Sequence, residues 1–189
     1  MTDTAFRPFD SLLDRDAALS HLQEATRGAD DGELFLERRR AEALTFDDGR
    51  VKTASYDASE GFGLRAVRGE VTGYAHSSEV NDSALKRAVE TARLAVGDGG
   101  GTLAAGPART NRRLYTDDDP IAGASFPVKL DTLREIDAFA RDLDPRVVQV
   151  TATIAASLQE VVILRPDGSE VGDIRPMTRV NVSVIVEQD

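Results

Sequence analysis

Apolar residues recur along this chain in two rhythms, and the changes of rhythm mark its elements. Leu12, Leu19, Leu22 and Ala25 repeat at helical spacing, which predicts a helix over 14–27 that Gly28 ends. Leu34 and Leu36 then alternate with Glu33 and Glu37, with Phe35 on the other face, and open a first strand. Asp47-Asp48-Gly49-Arg50 is a hairpin signal, because Gly accepts positive φ freely and Asp tolerates it; the flanking strands fall at 41–46 and 51–56. Strands at 61–67 and 71–75 flank a second turn, Arg68-Gly69-Glu70. Asn81 or Asp82 caps a helix through 96, with Leu85, Ala88, Val89 and Ala92 on one stripe.

Periodicity lapses between 97 and 106, which hold five glycines, and Asp117-Asp118-Asp119-Pro120 continues the irregular stretch. A third helix is predicted over 127–143 from the Leu130, Leu133, Ile136 and Ala140 stripe, stopped by Asp144-Pro145. Alternation returns in Val148, Val150, Ala152 and Ile154 and again at 161–164. There Pro166-Asp167-Gly168-Ser169 turns the chain back through 171–174. Val180, Val182, Val184 and Val186 occupy one face of a last strand, opposite Asn181, Ser183 and Glu187.

The fold class expected is α+β: an antiparallel β-meander with flanking helices, followed by a linker and the start of a second mixed α/β domain. The domains expected are an N-terminal α+β domain over 1–96, a Gly-rich linker over 97–120 and a second domain over 121–189, apparently truncated. Residues 1–10 read as a loose leader. The strand pattern runs almost into the last residue, which predicts a polypeptide that stops inside a fold, since bare strand edges need partners.

Composition narrows the function classes. The chain has 189 residues, 41% apolar and 30% charged, as a soluble globular protein does. No apolar run reaches the ~18 residues that span a bilayer, and Asp3, Asp10, Asp14 and Asp16 rule out a secretory leader. The absence of cysteine agrees with a reducing compartment, so a cytoplasmic location and no membrane partner are expected. The net charge of −10 argues against nucleic acid, which requires a basic face. Arg38-Arg39-Arg40 is the one basic cluster and reads as a solvated strand end between Glu37 and Glu42.

The usual carriers of chemistry are sparse. His21 lies on the first helix with no second histidine within a turn, short of the three or four ligands that zinc requires. His76 ends a strand among Thr72, Tyr74, Ser77 and Ser78, and an imidazole there could move protons near neutral pH, although no partner is visible. Asp30-Asp31, Asp47-Asp48 and Asp117 to Asp119 lack the spacing of a calcium loop, and two of the three sit in turns. Gly61-Phe62-Gly63-Leu64-Arg65-Ala66 imitates a dinucleotide fingerprint, yet alternation passes straight through it. Its glycines therefore read as sites of close backbone approach or a bend in a sheet.

Two stretches resemble the TldD/PmbA family, and TldD more than PmbA. Phe46-Asp47-Asp48-Gly49-Arg50-Val51-Lys52 resembles its L-E-D-G-x-V-K hairpin, with Phe46 and Asp47 as conservative departures. Residues Gly61 to Ala75 resemble its G-V-G-x-R-A-x-x-G-E-x-T-G-[FY]-A run. Further on, Asp144-Pro145-Arg146-Val147-Val148-Gln149-Val150 resembles D-P-R-V-x-Q-V, and Arg175 to Val184 resemble R-P-x-x-R-x-N-V-S-V. The fragments occur in the family's order over most of 33–189.

The resemblance implies a cytoplasmic metallopeptidase subunit that pairs with a PmbA/TldE-like paralogue, or with itself as a homodimer, and cleaves unfolded peptides admitted to an enclosed site. Zinc in the full-length parent would be held by a His-Glu-x-x-x-His helix and a later ligand. No residue of this chain matches that motif, so no catalytic residue, cofactor-binding residue or metal ligand is assigned here. The part expected of this portion is chamber wall and subunit interface, with an exposed strand edge able to hold extended peptide. The alternative is a non-catalytic scaffold module of the PmbA (TldE) type. A gyrase-associated regulator is a third class, poorly matched to so acidic a chain.

Overall fold

The structure, a computed structural model, describes residues 6–97, 102–103 and 116–188. Its elements in chain order are α1 (Pro8–Ser11), α2 (Arg15–Ala25), β1 (Asp31–Asp47), β2 (Arg50–Arg68), β3 (Val71–Ser77), α3 (Asp82–Val96), α4 (Phe126–Leu143), β4 (Val147–Leu164) and β5 (Glu170–Val186). The strands form a five-stranded antiparallel sheet in the order β3-β2-β1-β4-β5. The α+β class and the flanking helices match the expectation from the pattern. Most of the 97–120 stretch lies outside the described residues.

The short strands expected on either side of residues 37–40, 57–60, 155–160 and 175–179 are instead continuous. Each pair merges into one strand of 17–19 residues. Polar residues interrupt the apolar rhythm there, but polarity alone does not end an extended backbone; a turn residue must. Pro176 is tolerated because β5 is an edge strand, where a missing N–H deprives no neighbour.

Two compact units make up the chain, each assembled from separate stretches. The first draws its described residues from 1–38, 59–114 and 160–174. Here Leu34 and Leu36 of β1, Leu64 of β2 and Leu164 of β4 pack, fully buried, with Leu22 of α2 and Leu85 of α3 in one core. Each such side chain contributes about 1.5–3 kcal/mol of transfer free energy. Helix α2 starts where Asp14 Oδ1 accepts from Ala17 N at 2.8 Å, and α3 where Asn81 Oδ1 accepts from Ala84 N at 2.9 Å. Gly73 lets α3 lie against β3: a Cβ there would run into the Ala92 carbonyl oxygen and Val96.

The supposed loose leader is, from Phe6 onward, part of this core. Phe6 is buried, its N–H donates to Glu160 Oε1 at 2.9 Å, and α1 follows at once. The aspartates of this stretch masked the signal of Phe6, Phe9, Leu12 and Leu13, which join the core cluster.

The second unit takes its described residues from 39–58, 115–159 and 175–189. Leu130, Leu133 and Ile136 of α4 pack on Leu44 and Phe46 of β1 and Ala152 and Ile154 of β4. Lys129, at 5% exposure, anchors the helix start by donating to Glu42 Oε1 at 2.6 Å and to the Ile121 carbonyl at 2.7 Å. The β1–β2 turn has φ of +49° at Asp48 and +78° at Gly49, the backbone its sequence demands. Asp47 beside it accepts from Lys52 Nζ at 2.8 Å, Thr151 Oγ1 at 2.5 Å and Gln149 Nε2 at 3.0 Å. These bonds, Lys52 foremost, hold its carboxyl far below the ordinary carboxylate range.

Candidate functional site

Among the described residues, two places combine exposure with chemistry. One lies on the first unit's sheet, on the face turned away from α2 and α3. Strand alternation puts Leu34, Leu36, Phe62 and Leu64 in the core and Phe35, Glu37, Gly61 and Gly63 on the opposite face. The β2–β3 register sets His76 opposite Gly63 and Tyr74 opposite Arg65. Without side chains at 61 and 63, the sheet is hollowed there into a cavity of about 290 Å³. Tyr74 leans across it: a Cβ on Gly63 would sit 2.8 Å from its hydroxyl, and one on Gly61 would sit 2.7 Å from the Ser77 carbonyl. Close approach is therefore the role of both glycines, and β2 runs unbroken through the stretch that imitates a nucleotide loop.

His76 belongs to this cavity. Its ring stacks on Tyr74 with centroids 5.8 Å apart and planes at 29°. Alternation puts the two rings on one face, since residues two apart on a strand share it. In the sequence Tyr74 is marked only as the aromatic position of the Gly61 to Ala75 run, which gives it no chemical role. Arg65, next along the face, is tied to Glu33 at 3.2 Å and Asp31 at 3.1 Å, and Arg165 also reaches Asp31.

His21 stands elsewhere, half-buried on α2 with Nε2 2.9 Å from Asp82 Oδ1. Lys86 first, and His21 second, keep the Asp82 carboxyl below its ordinary value. The acidic pairs serve turns and ion pairs: Asp30 accepts from Gly69 N, Arg141 joins Asp48 to Asp137, and Asp119 accepts from Ile121 N. The arginine run is not a solvated strand end. It lies inside β1. Arg38 grips the buried Glu160 at 3.0 Å and covers the Phe6 ring, while Arg40 meets Asp119 at 3.0 Å, out of line for a hydrogen bond. Only Arg39 of the three is exposed.

Among the described residues no three His, Cys, Asp or Glu side chains converge as a metal ion requires, so these residues do not fit a zinc centre and no chemical step is derived through one. No described helix is long and apolar enough to cross a membrane.

The other place is the sheet margin in the second unit. Among the described residues, β3 pairs with Phe62 to Arg68 of β2 and no strand pairs with that edge before it, so the first half of β2, from Arg50, has β1 as its one described neighbour. Its side chains are exposed on both faces through Ala58. On the opposite margin, β5 exposes Val180, Val182, Val184 and Val186 at 43–55%.

A family model described as PmbA/TldA metallopeptidase domain 1 matches residues 32–96, and one described as the PmbA/TldA metallopeptidase central domain matches 119–189. A metalloprotease TldD homolog of Buchnera aphidicola subsp. Acyrthosiphon pisum is 31% identical over 177 residues, covering 93% of this chain and 37% of that protein. The homolog of Haemophilus influenzae is 30% identical over 167 residues, covering 86% and 34% respectively. The chain thus spans about a third of the length of the curated relatives it matches. Among solved structures, TldE from Thermococcus kodakarensis superposes with a TM-score of 0.65 at 14% identity, over 91% of this chain and 40% of that one. At that identity the likeness concerns the fold alone.

Proposed function

Because the chain belongs to the PmbA/TldD metallopeptidase family, we propose that it supplies the first and central domains of a TldD-like, zinc-dependent peptidase subunit acting on unfolded peptides in the cytoplasm. The observation that carries this reading is the matching of two consecutive domains of one family, in order, together with TldD relatives along nearly the whole chain. In this reading the zinc ligands belong to a third part of the subunit, and these two domains wall the chamber and meet a PmbA/TldE-like partner or a second copy. Extended peptide would add to the bare edge of β2, whose outward N–H and C=O groups pair with any sequence.

The test uses an unstructured peptide, the chain alone, and the chain mixed with a PmbA/TldE-type subunit. Complex formation by light scattering is expected, with peptide captured but not cut by the chain alone. Stoichiometric zinc in the purified chain, or cleavage by it alone, overturns the assignment. So does a gene that continues past Asp189 without a His-Glu-x-x-x-His motif. Strand addition has its own check. Thr53→Pro and Ala54→Pro place the ring on alternate backbone edges of β2, and the one that removes an outward N–H should abolish capture without unfolding the chain. Capture that survives both substitutions refutes the edge as the site.

A further inference from the structure

Backbone pairing at a strand edge is blind to side chains, yet the first unit offers a cavity with definite chemistry. We propose that the hollow over Gly61 and Gly63 is a subsite for one basic side chain, a lysine or arginine, carried by an extended peptide. The peptide as carrier rests on the reading above; the preference for a cation rests on the cavity alone.

Its size suits one side chain. At about 290 Å³ it falls just below the ~300–1,000 Å³ of sites that enclose whole small molecules. Its walls are aromatic: Phe35 lies on one side, and the stacked pair of Tyr74 and His76 on the other. Tyr74 is 58% exposed, so its ring is open to an incoming group. Such ring faces attract cations within about 6 Å, and the aliphatic stems of Lys and Arg lie well on apolar walls. Among the described residues, the charged members of the lining are Glu37 and Glu60, with no Lys or Arg beside them. Arg65, on the same face of β2, is tied to Glu33 and Asp31. An acidic side chain would meet the like charge of Glu60 and Glu37 here.

The probes are the capped pentapeptide Ala-Ala-Arg-Ala-Ala, its glutamate and norleucine counterparts, and arginine amide, each titrated into the labelled chain by amide NMR. The arginine peptide should shift the amides of 61–63 and 74–76 and saturate. The glutamate and norleucine peptides should not. Tyr74→Ala and Glu37→Gln should each weaken binding about threefold to tenfold, and added salt should weaken it further. Tyr74→Phe retains the ring and should retain binding, which separates loss of the π face from loss of local structure. Norleucine binding as tightly as arginine, shifts confined to other residues, or unchanged affinity in both Tyr74→Ala and Glu37→Gln overturns the proposal. Arginine amide shifting these residues while no peptide engages the chain upholds the subsite and refutes the peptide as carrier. Peptide capture without these shifts refutes the subsite and leaves the β2 edge standing.

Discussion

The leucines of the first unit and the valines of β5 are written in the same sequence pattern and end in opposite environments. Leu34, Leu36, Leu64 and Leu164 lie on the inner face of their strands, with Glu33, Glu37, Arg65 and Arg165 on the outer one, and are fully buried. Val180, Val182, Val184 and Val186 alternate as regularly and remain 43–55% exposed. Period-two alternation creates an apolar face but does not supply its cover. In the first unit α2 and α3 provide that cover, and the core draws on five or more elements. In the second, α4 covers Leu44, Phe46 and Ala152 on the inner strands and leaves the β5 row bare.

The contrast makes graded predictions. The largest effect is expected where the first unit buries charge. Glu160→Ala leaves Arg38 and the Phe6 N–H without this acceptor, and should cost about 3–5 kcal/mol. The cost should fall toward the lower end because Arg38 keeps 33% of its side chain exposed. Urea unfolding monitored by circular dichroism reads it. A negligible change would mean that the ion pair is not what anchors Phe6.

Next, Leu64→Ala should cost about 2–5 kcal/mol as a core cavity, whereas Val182→Ala should stay within about 0.5 kcal/mol. Equal penalties would show that the β5 row is covered in solution, and the contrast would fail. A middle-sized effect belongs to Gly73→Ala. Its Cβ would press on the Ala92 carbonyl and force α3 away from β3, at about 1–3 kcal/mol of overpacking. Gly63→Ala should be milder, because the atom it meets is the free end of Tyr74. Reversal of that order would contradict the packing of α3.

The smallest effect is electrostatic. The Asp47 carboxyl is held below its ordinary 3.8 by its bonds to Lys52, Thr151 and Gln149, and that of Asp144 is lowered to about 2 by Arg146. A depressed folded value stabilises the fold above the ordinary value, and the gain is lost as pH falls toward the folded one. Thermal midpoints should therefore drop as pH falls from about 4 to about 2. Asp47→Asn and Asp144→Asn should each flatten that decline. A slope unchanged in both variants would assign the acid sensitivity to other carboxylates.

Local signals were readable from residue order. Helix spans came within a residue or two, because caps such as Asp14 and Asn81 and the stop at Asp144-Pro145 act on their immediate neighbours. Asp48-Gly49 and Gly69 announced their turns because positive φ is a property of the residue itself. The exposed sides of the candidate cavity were half legible. Alternation puts Tyr74 and His76 on one face, but their stack over paired glycines depends on the β2–β3 register.

Residue order in this chain dictates where the backbone can turn, where a helix begins and which side of each strand is oily, since these follow from dihedral preference and spacing. It was silent on which short strands fuse, which charges are partnered and which apolar faces are covered. Arg38 and Glu160 lie 122 residues apart along the chain, and only the sheet order β1-β4 brings them together. Burial is a relation between distant segments, so the same alternation yields a core around Leu64 and a bare surface along Val182.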